Sequence, residues 1–368
     1  MLRWTPGTSC EGRSVAIATI LAAVAFLAIP SPARAIGGVQ GVQASDPVPI
    51  DLGWQRHPTP HLPASIQIYR STRPLPSGEP ISGVYARIDL TDPGLTIEAT
   101  YAGDEGTWIT PLQEMTGSEA RVYVAVNGTY FSQTTSVSPV VQGGRVLAFG
   151  RRGLTRAGQD FVATWGAWGL GPDGRAEVVW TWSLPESNRI LAFDAPYPNR
   201  LGQPPLPTPS VSGPGMPPGR VWAPDVAIGG TPVLIKDGVL RHLGEDPEDP
   251  ESLINRDELV NPGGLTGRHP RTVIGHTQDR SHVILMVIDG RQPDHSVGAT
   301  LAEMGAIMID VGAFEALNID GGGSSVMIAD NGDGTLDLAD VLSRPSDAAG
   351  MRPVATSLLV RAASGTGG

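Results

Sequence analysis

Leu317-Asn318-Ile319-Asp320-Gly321-Gly322-Gly323-Ser324-Ser325 is the stretch from which the rest of the chain can be read. Residues 316–319 form a short apolar run, which predicts a buried strand. An acid ends that strand. Three glycines then let the backbone turn and approach a ligand closely, with N–H groups free to donate. Two hydroxyls follow. This chemistry suits an oxyanion or a sugar phosphate. The same residues also fit a plain Gly-rich turn with a capping Asp.

Regular patterning extends outward from this loop. Residues 326–328 and 354–360 predict strands after it, and 272–275 and 283–288 predict buried strands before it. Residues 297–311 predict the clearest helix, because Leu301, Met304, Met308 and Val311 share one face at spacings of three and four. Further upstream, strands are predicted at 84–90, 95–101, 121–126, 140–149, 162–170, 176–182, 226–230 and 233–235. Turn residues separate them, as in the hairpin signal Gly171-Pro172-Asp173-Gly174 and in Lys236-Asp237-Gly238. Prolines cluster at 184–224, which reads as a long loop or insertion. Another polar loop is predicted from 244 to 269. Residues 36–80 read as an extended arm or linker. The pattern has no internal repeat. Many strands with one clear helix predict a mixed class, organised as a single domain over 81–362.

Composition narrows the class. The chain has 368 residues, 40% hydrophobic and 17% charged, with 47 Gly and 34 Pro, as expected of a turn-rich globular protein with a sizeable core. Residues 1–35 read as a secretory signal peptide: Arg3 and Arg13, an uncharged apolar run over 15–29, then Ser31-Pro32-Ala33-Arg34-Ala35. That run is short for a membrane span, which needs about 20 residues. An uncleaved anchor is the alternative. The mature protein is therefore expected to be secreted and to span no membrane. Cys10 is the only cysteine and lies inside this segment, so disulfides, a cysteine nucleophile and Cys-ligated metals are not expected in the mature chain. The formal charge is −11, and removing Arg3, Arg13, Arg34 and Glu11 makes it −13. Nucleic acid is not expected as a partner, because backbone binding needs a basic face. Lys236 is the only lysine among 26 basic residues, which fits the codon bias of a GC-rich genome.

Other motifs carry candidate chemistry. Ile288-Asp289-Gly290-Arg291 again places an acid at the end of a buried strand, with an Arg two residues on; His295 and Ser296 lie in the loop before the helix. Arg suits planar recognition of phosphate. His269-Pro270-Arg271-Thr272 and Arg352-Pro353 each precede a strand. Asn127-Gly128-Thr129-Tyr130-Phe131 ends another, and Asn127 also fits the N-glycosylation sequon, which matters only if the host glycosylates. Asn331, Asp333, Asp337 and Asp340 follow a Ca²⁺-loop spacing, with Ala329 where the first ligand belongs. A structural Ca²⁺ site and a simple acidic turn both fit there.

Taken together and in order, these motifs resemble the phosphodiester glycosidase family. That family includes the lysosomal enzyme that removes N-acetylglucosamine from mannose-6-phosphate tags, and many secreted bacterial proteins. The matching stretches are 127–131, 228–230, 236–238, 270–275, 287–291, 298–311, 316–325 and 352–360. The resemblance implies one α/β (mixed α+β) domain with a large twisted mixed β-sheet and few helices. It implies hydrolysis of a sugar-1-phosphodiester to free sugar and a phosphomonoester, with no required cofactor. A phosphorylated glycan is then the expected partner. On this reading Asp320 and Asp289 are the catalytic carboxylates. Arg271 and Arg291 hold phosphate, with Gly321, Gly322, Gly323, Ser324 and Ser325 supporting it or the sugar. Asn127, His295 and Arg352 shape the pocket. A metal-dependent phosphodiesterase and a non-catalytic glycan binder are the competing readings.

Overall fold

The structure is a computed structural model that describes residues 48–363, except 104–107, 133–134, 212–218, 242–248, 252, 254–266, 334 and 338–339. The segment 1–35 expected to be a signal peptide, with Cys10, lies outside the described residues, as does most of the loop expected at 244–269.

The run that the sequence shows at 283–288 explains the architecture. It forms the strand His282–Ile288, and its apolar residues alternate between two cores. Val283, Leu285 and Val287 face one core, while Ile284, Met286 and Ile288 face the other. A strand that is apolar on both faces must be covered on both. This one belongs to an eight-stranded sheet, ordered Gln55–His57, Ile66–Arg70, Gly83–Asp89, His282–Ile288, Arg271–His276, Glu315–Asn318, Val233–Lys236 and Val239–Leu240. One face packs on helix α2 (Leu301–Asp310) through Met304, Ile307 and Met308. The other face packs on two further sheets. A seven-stranded sheet contributes Trp168, Val178, Trp180 and Ile228, and a four-stranded sheet contributes Val124, Val126, Met327 and Leu358. Helix α1 (Pro111–Gly117) lies against the four-stranded sheet through Met115, beside Val122, Ala125 and Leu359.

The mixed α+β class and the single domain hold, and all the described elements lie in the unit Asp46–Gly368. The sheet is divided into several, however, and among the described residues every strand pairing is antiparallel. The hairpin at Gly171–Gly174 joins Trp165–Leu170 to Ala176–Leu184.

Three readings need correction. Residues 48–80 are no arm: Gln55–His57 and Ile66–Arg70 are strands of the large sheet, and Leu52, Leu62, Ile66, Ile68 and Leu75 are buried. The 184–224 segment is not all loop, since Arg189–Phe193 and Gly219–Trp222 are strands of the seven-stranded sheet. The long helix starts at Leu301 rather than 297. Thr300 caps it with Glu303 in a reciprocal capping box, and Gly298 holds φ at +93°, which no helix allows.

One polar cluster joins layers of this fold. Lys236 Nζ donates to Glu315 Oε1 at 2.6 Å and, in the seven-stranded sheet, to the Val178 carbonyl at 2.7 Å. Val178 N–H donates back to Glu315 Oε2 at 2.7 Å. Glu315 is 1% exposed. His276 lies beside it, fully buried, and burial lowers its pKa to about 3, so the ring is neutral there.

Candidate active site

The antiparallel order of three strands assembles the site. Arg271–His276 lies between His282–Ile288 and Glu315–Asn318, and Arg271 pairs with Ile288 while Val273 pairs with Asn318. Both neighbouring strands therefore end where the central strand begins. The two motifs that begin at Asp289 and Asp320 leave the sheet side by side. Their backbones close on one another around Pro270: Gly322 N–H donates to the Pro270 carbonyl at 2.9 Å, and a Cβ on Gly290 would come within 2.6 Å of Pro270 N.

The Gly-rich loop is also a crossing between sheets. It leaves Glu315–Asn318 of the large sheet and enters Met327–Ala329, which pairs with Val122–Asn127 of the four-stranded sheet. Asn127 brackets the crossing. Its Nδ2 donates to the Asp320 carbonyl at 2.7 Å, and its Oδ1 accepts from Thr272 Oγ1 at 2.8 Å and Val326 N at 3.2 Å. The residue is fully buried, so it is a brace and not the pocket-lining group expected from sequence.

The loop's amides are mostly used at home. Gly321 N–H donates to Asp320 Oδ1, Gly322 N–H to Pro270, Ser324 N–H to Gly321 and Ser325 N–H to Gly322. Gly323 N–H is the one of these five without an acceptor among the described residues. The Ser324 and Ser325 hydroxyls are buried and have no hydrogen-bond partner among the described residues.

Two guanidinium groups lie over the glycines. A Cβ on Gly322 would come within 3.2 Å of both Arg291 Nη atoms, and a Cβ on Gly323 would meet Asp347 Oδ1 at 2.2 Å and Arg352 Nη2 at 2.5 Å. Gly322 also holds φ at +62°, where side chains are disfavoured. The glycines thus make room for these charged groups. Arg352 is held by Asp347 at 2.7 Å, and Arg291 Nε lies 3.4 Å from His269 Nδ1. Asp347 was not foreseen, and nothing in its local sequence marks it.

Gly323→Ala is expected to push the Arg352–Asp347 pair aside and leave the fold intact, because the atoms displaced are side-chain ends. Where Arg352 serves an anion site, the lost charge-assisted contact should weaken inorganic phosphate binding about 10-fold or more. Calorimetric titration reads this directly, and unchanged affinity would remove Arg352 from the anion site.

Asp289 is 4% exposed and uses both oxygens. Oδ1 accepts the Arg344 N–H at 2.8 Å, and Oδ2 lies 2.8 Å from His295 Nε2. Burial pushes its pKa up, and the hydrogen bonds from His295 and the Arg344 backbone pull against that. With Asp289 ionised the carboxylate can only accept, and His295 then donates to it from Nε2. Its Nδ1 makes no hydrogen bond among the described residues, and the side chain is 32% exposed. Ser296 Oγ donates to the Asp289 carbonyl at 2.6 Å and accepts from Ser82 N–H at 3.1 Å, fixing the turn. Asp289 therefore stands behind His295 rather than open to a substrate.

Arg271 is also withdrawn. It is 4% exposed, and it donates to the Ala299 and Gly267 carbonyls, each at 3.2 Å. It ties the strand start to the loop before α2 instead of presenting its guanidinium to a ligand. In the described part of the Ca²⁺-like loop, carboxylates accept backbone N–H groups. Asp340 accepts from Asn331 N–H and Asp337 N–H, Asp333 from Thr335 N–H, and Asp330 from Arg121 and Gly332 N–H. Among the described residues no three metal-ligating side chains gather, there or elsewhere.

The phosphodiester glycosidase family matches this chain over residues 120–361. The fold is similar to that of the catalytic domain of zebrafish N-acetylglucosamine-1-phosphodiester alpha-N-acetylglucosaminidase auto-inhibited by its pro-peptide. That likeness has a TM-score of 0.51 at 18% identity, covering 85% of this chain and 88% of the other. A hypothetical protein from Synechocystis gives a TM-score of 0.49 at 16% identity, covering 86% and 69%. A Burkholderia pseudomallei protein gives 0.48 at 18% identity, covering 77% and 74%. No curated protein matches the sequence.

Proposed function

Because this chain belongs to the phosphodiester glycosidase family, we propose that it hydrolyses the bond between a sugar's anomeric carbon and a phosphodiester oxygen. The products are a free sugar and a phosphomonoester. The observation that carries this reading is the pair Arg291 and Arg352 lying over Gly322 and Gly323, directly after Asp320.

The chemistry of the leaving group fits that pair. A phosphomonoester has a second pKa of about 6, so it departs with less proton donation than a sugar hydroxyl needs. Stabilising its charge is the larger task, and two guanidinium groups suit it. Asp320, at the strand end, supports the positive charge that develops on the sugar ring. His295 takes the proton of the attacking water, and Asp289 holds its ring in the required tautomer and orientation. Export through the segment 1–35 belongs to the same reading.

The test is incubation of the purified protein with an N-acetylglucosamine-1-phosphodiester, with and without chelator, followed by product identification. Free N-acetylglucosamine in both conditions is the expected result. Release of sugar-1-phosphate, blocked by chelator, would replace this reading with a metal-dependent phosphodiesterase.

A further inference from the structure

Four segments gather beyond the end of the four-stranded sheet, where the Gly-rich loop crosses. Gly128 accepts the Asp320 N–H at 3.0 Å and donates to the Thr356 carbonyl at 2.9 Å. Residues 100–102 run alongside, with Thr100 N–H donating to Ser357 and Ala102 N–H to Ala355. Ile109 bridges to Val354, two residues after Arg352. Two aromatic side chains of these segments meet. Trp108 and Phe131 meet at a centroid distance of 4.7 Å and an interplanar angle of 62°, and both are half-buried. Phe131 is three residues beyond Gly128, so it begins at most about 11 Å along the chain from the residue that holds Asp320.

From this geometry we infer that Trp108 and Phe131 form the platform for the sugar ring. The inference rests on the glycosidase reading and extends it to the side of the substrate that reading leaves open. A pyranose has a polar rim and apolar C–H faces. A half-exposed aromatic corner matches the faces, as aromatic side chains do in small-molecule sites generally. The two flanks of Asp320 are then chemically different. Arg291 and Arg352 take the phosphate, and the Trp108–Phe131 corner takes the ring. Asp320 connects the two, being held by Gly128 three residues before Phe131 and followed directly by the glycines beneath Arg291 and Arg352. Among the described residues no cation lies over either ring, so the pair is suited to the sugar's apolar face rather than to phosphate. Trp108 is one residue from the Ile109–Val354 bridge, so the same short segment fixes the ring platform and the approach to Arg352.

The experiment uses the full chain, the variants Trp108→Ala and Phe131→Ala, and the conservative variants Trp108→Phe and Phe131→Tyr. Two substrates share N-acetylglucosamine-1-phosphate but differ in the esterified alcohol. Each alanine variant should raise KM about 10-fold for both substrates, with inhibition by inorganic phosphate unchanged. The conservative variants should recover most of that loss. Unchanged KM in both alanine variants overturns the platform, as does a KM change confined to one alcohol or matched by weakened phosphate inhibition. Saturation-transfer NMR with free N-acetylglucosamine separates this inference from the one beneath it. If the wild type turns over no diester, the glycosidase reading fails. Sugar binding that is lost in Trp108→Ala and Phe131→Ala then still supports the platform, and a wild type that binds no sugar overturns it.

Discussion

Asp289→Asn is expected to lower kcat by about 10³- to 10⁴-fold with the protein still folded. The reasoning starts from what each side-chain oxygen does. Asn keeps an oxygen to accept the Arg344 N–H, as Asp289 Oδ1 does now at 2.8 Å. Its amide nitrogen must then face His295 Nε2, and an amide donates there. His295 has to move its proton to Nδ1, which is the nitrogen available to a water or substrate. The base is lost although the ring stays where it was. Burial at 4% exposure makes the neutral Asn easy to accommodate, so thermal stability should change little. A steady-state assay beside a denaturation curve checks both halves. Turnover within a few-fold of wild type would return Asp289 to a purely structural role.

Lys236→Met is expected to cost about 3–5 kcal/mol of unfolding free energy. Lys236 Nζ is the partner of a carboxylate that is 1% exposed, and without it Glu315 is left buried and charged. His276 is a poor replacement, because burial, the largest cause of its lowered pKa, persists when Lys236 is gone. The double variant Lys236→Met/Glu315→Gln should recover much of the loss, since Gln still accepts the Val178 N–H that now reaches Glu315 at 2.7 Å. Urea denaturation should show a lower midpoint with an unchanged slope. A single variant as stable as wild type would mean that the cluster does not hold the sheets together.

Sequence legibility followed burial. The strand His282–Ile288 was visible because a strand covered on both faces is apolar throughout, and α2 because one face is. Gln55–His57 and Ile66–Arg70 were not, because they sit at the sheet margin and mix polar residues into short runs. Arg189–Phe193 is apolar enough, but Pro185, Pro196 and Pro198 around it gave the segment the signature of a loop. Helix α1 was missed although its signal was present: Thr110-Pro111-Leu112-Gln113 is a capping box with proline at the first turn. In the site, the strand-ending acids and the glycines were legible as chemistry. The division of labour was not. Whether an Arg is open to a ligand or spent on a carbonyl depends on tertiary neighbours, which is why the withdrawal of Arg271 was not legible.

The burial of Asn127 bears on how the protein can be made. Its sequon would be read on the nascent chain in a eukaryotic secretory pathway, before the four-stranded sheet forms. A glycan attached there has no room beside Thr272 and Val326, and the bracket to Asp320 could not close. Material from a yeast or insect-cell host would then divide into an unmodified fraction that folds and a modified one that cannot. Production in a bacterial host avoids that division.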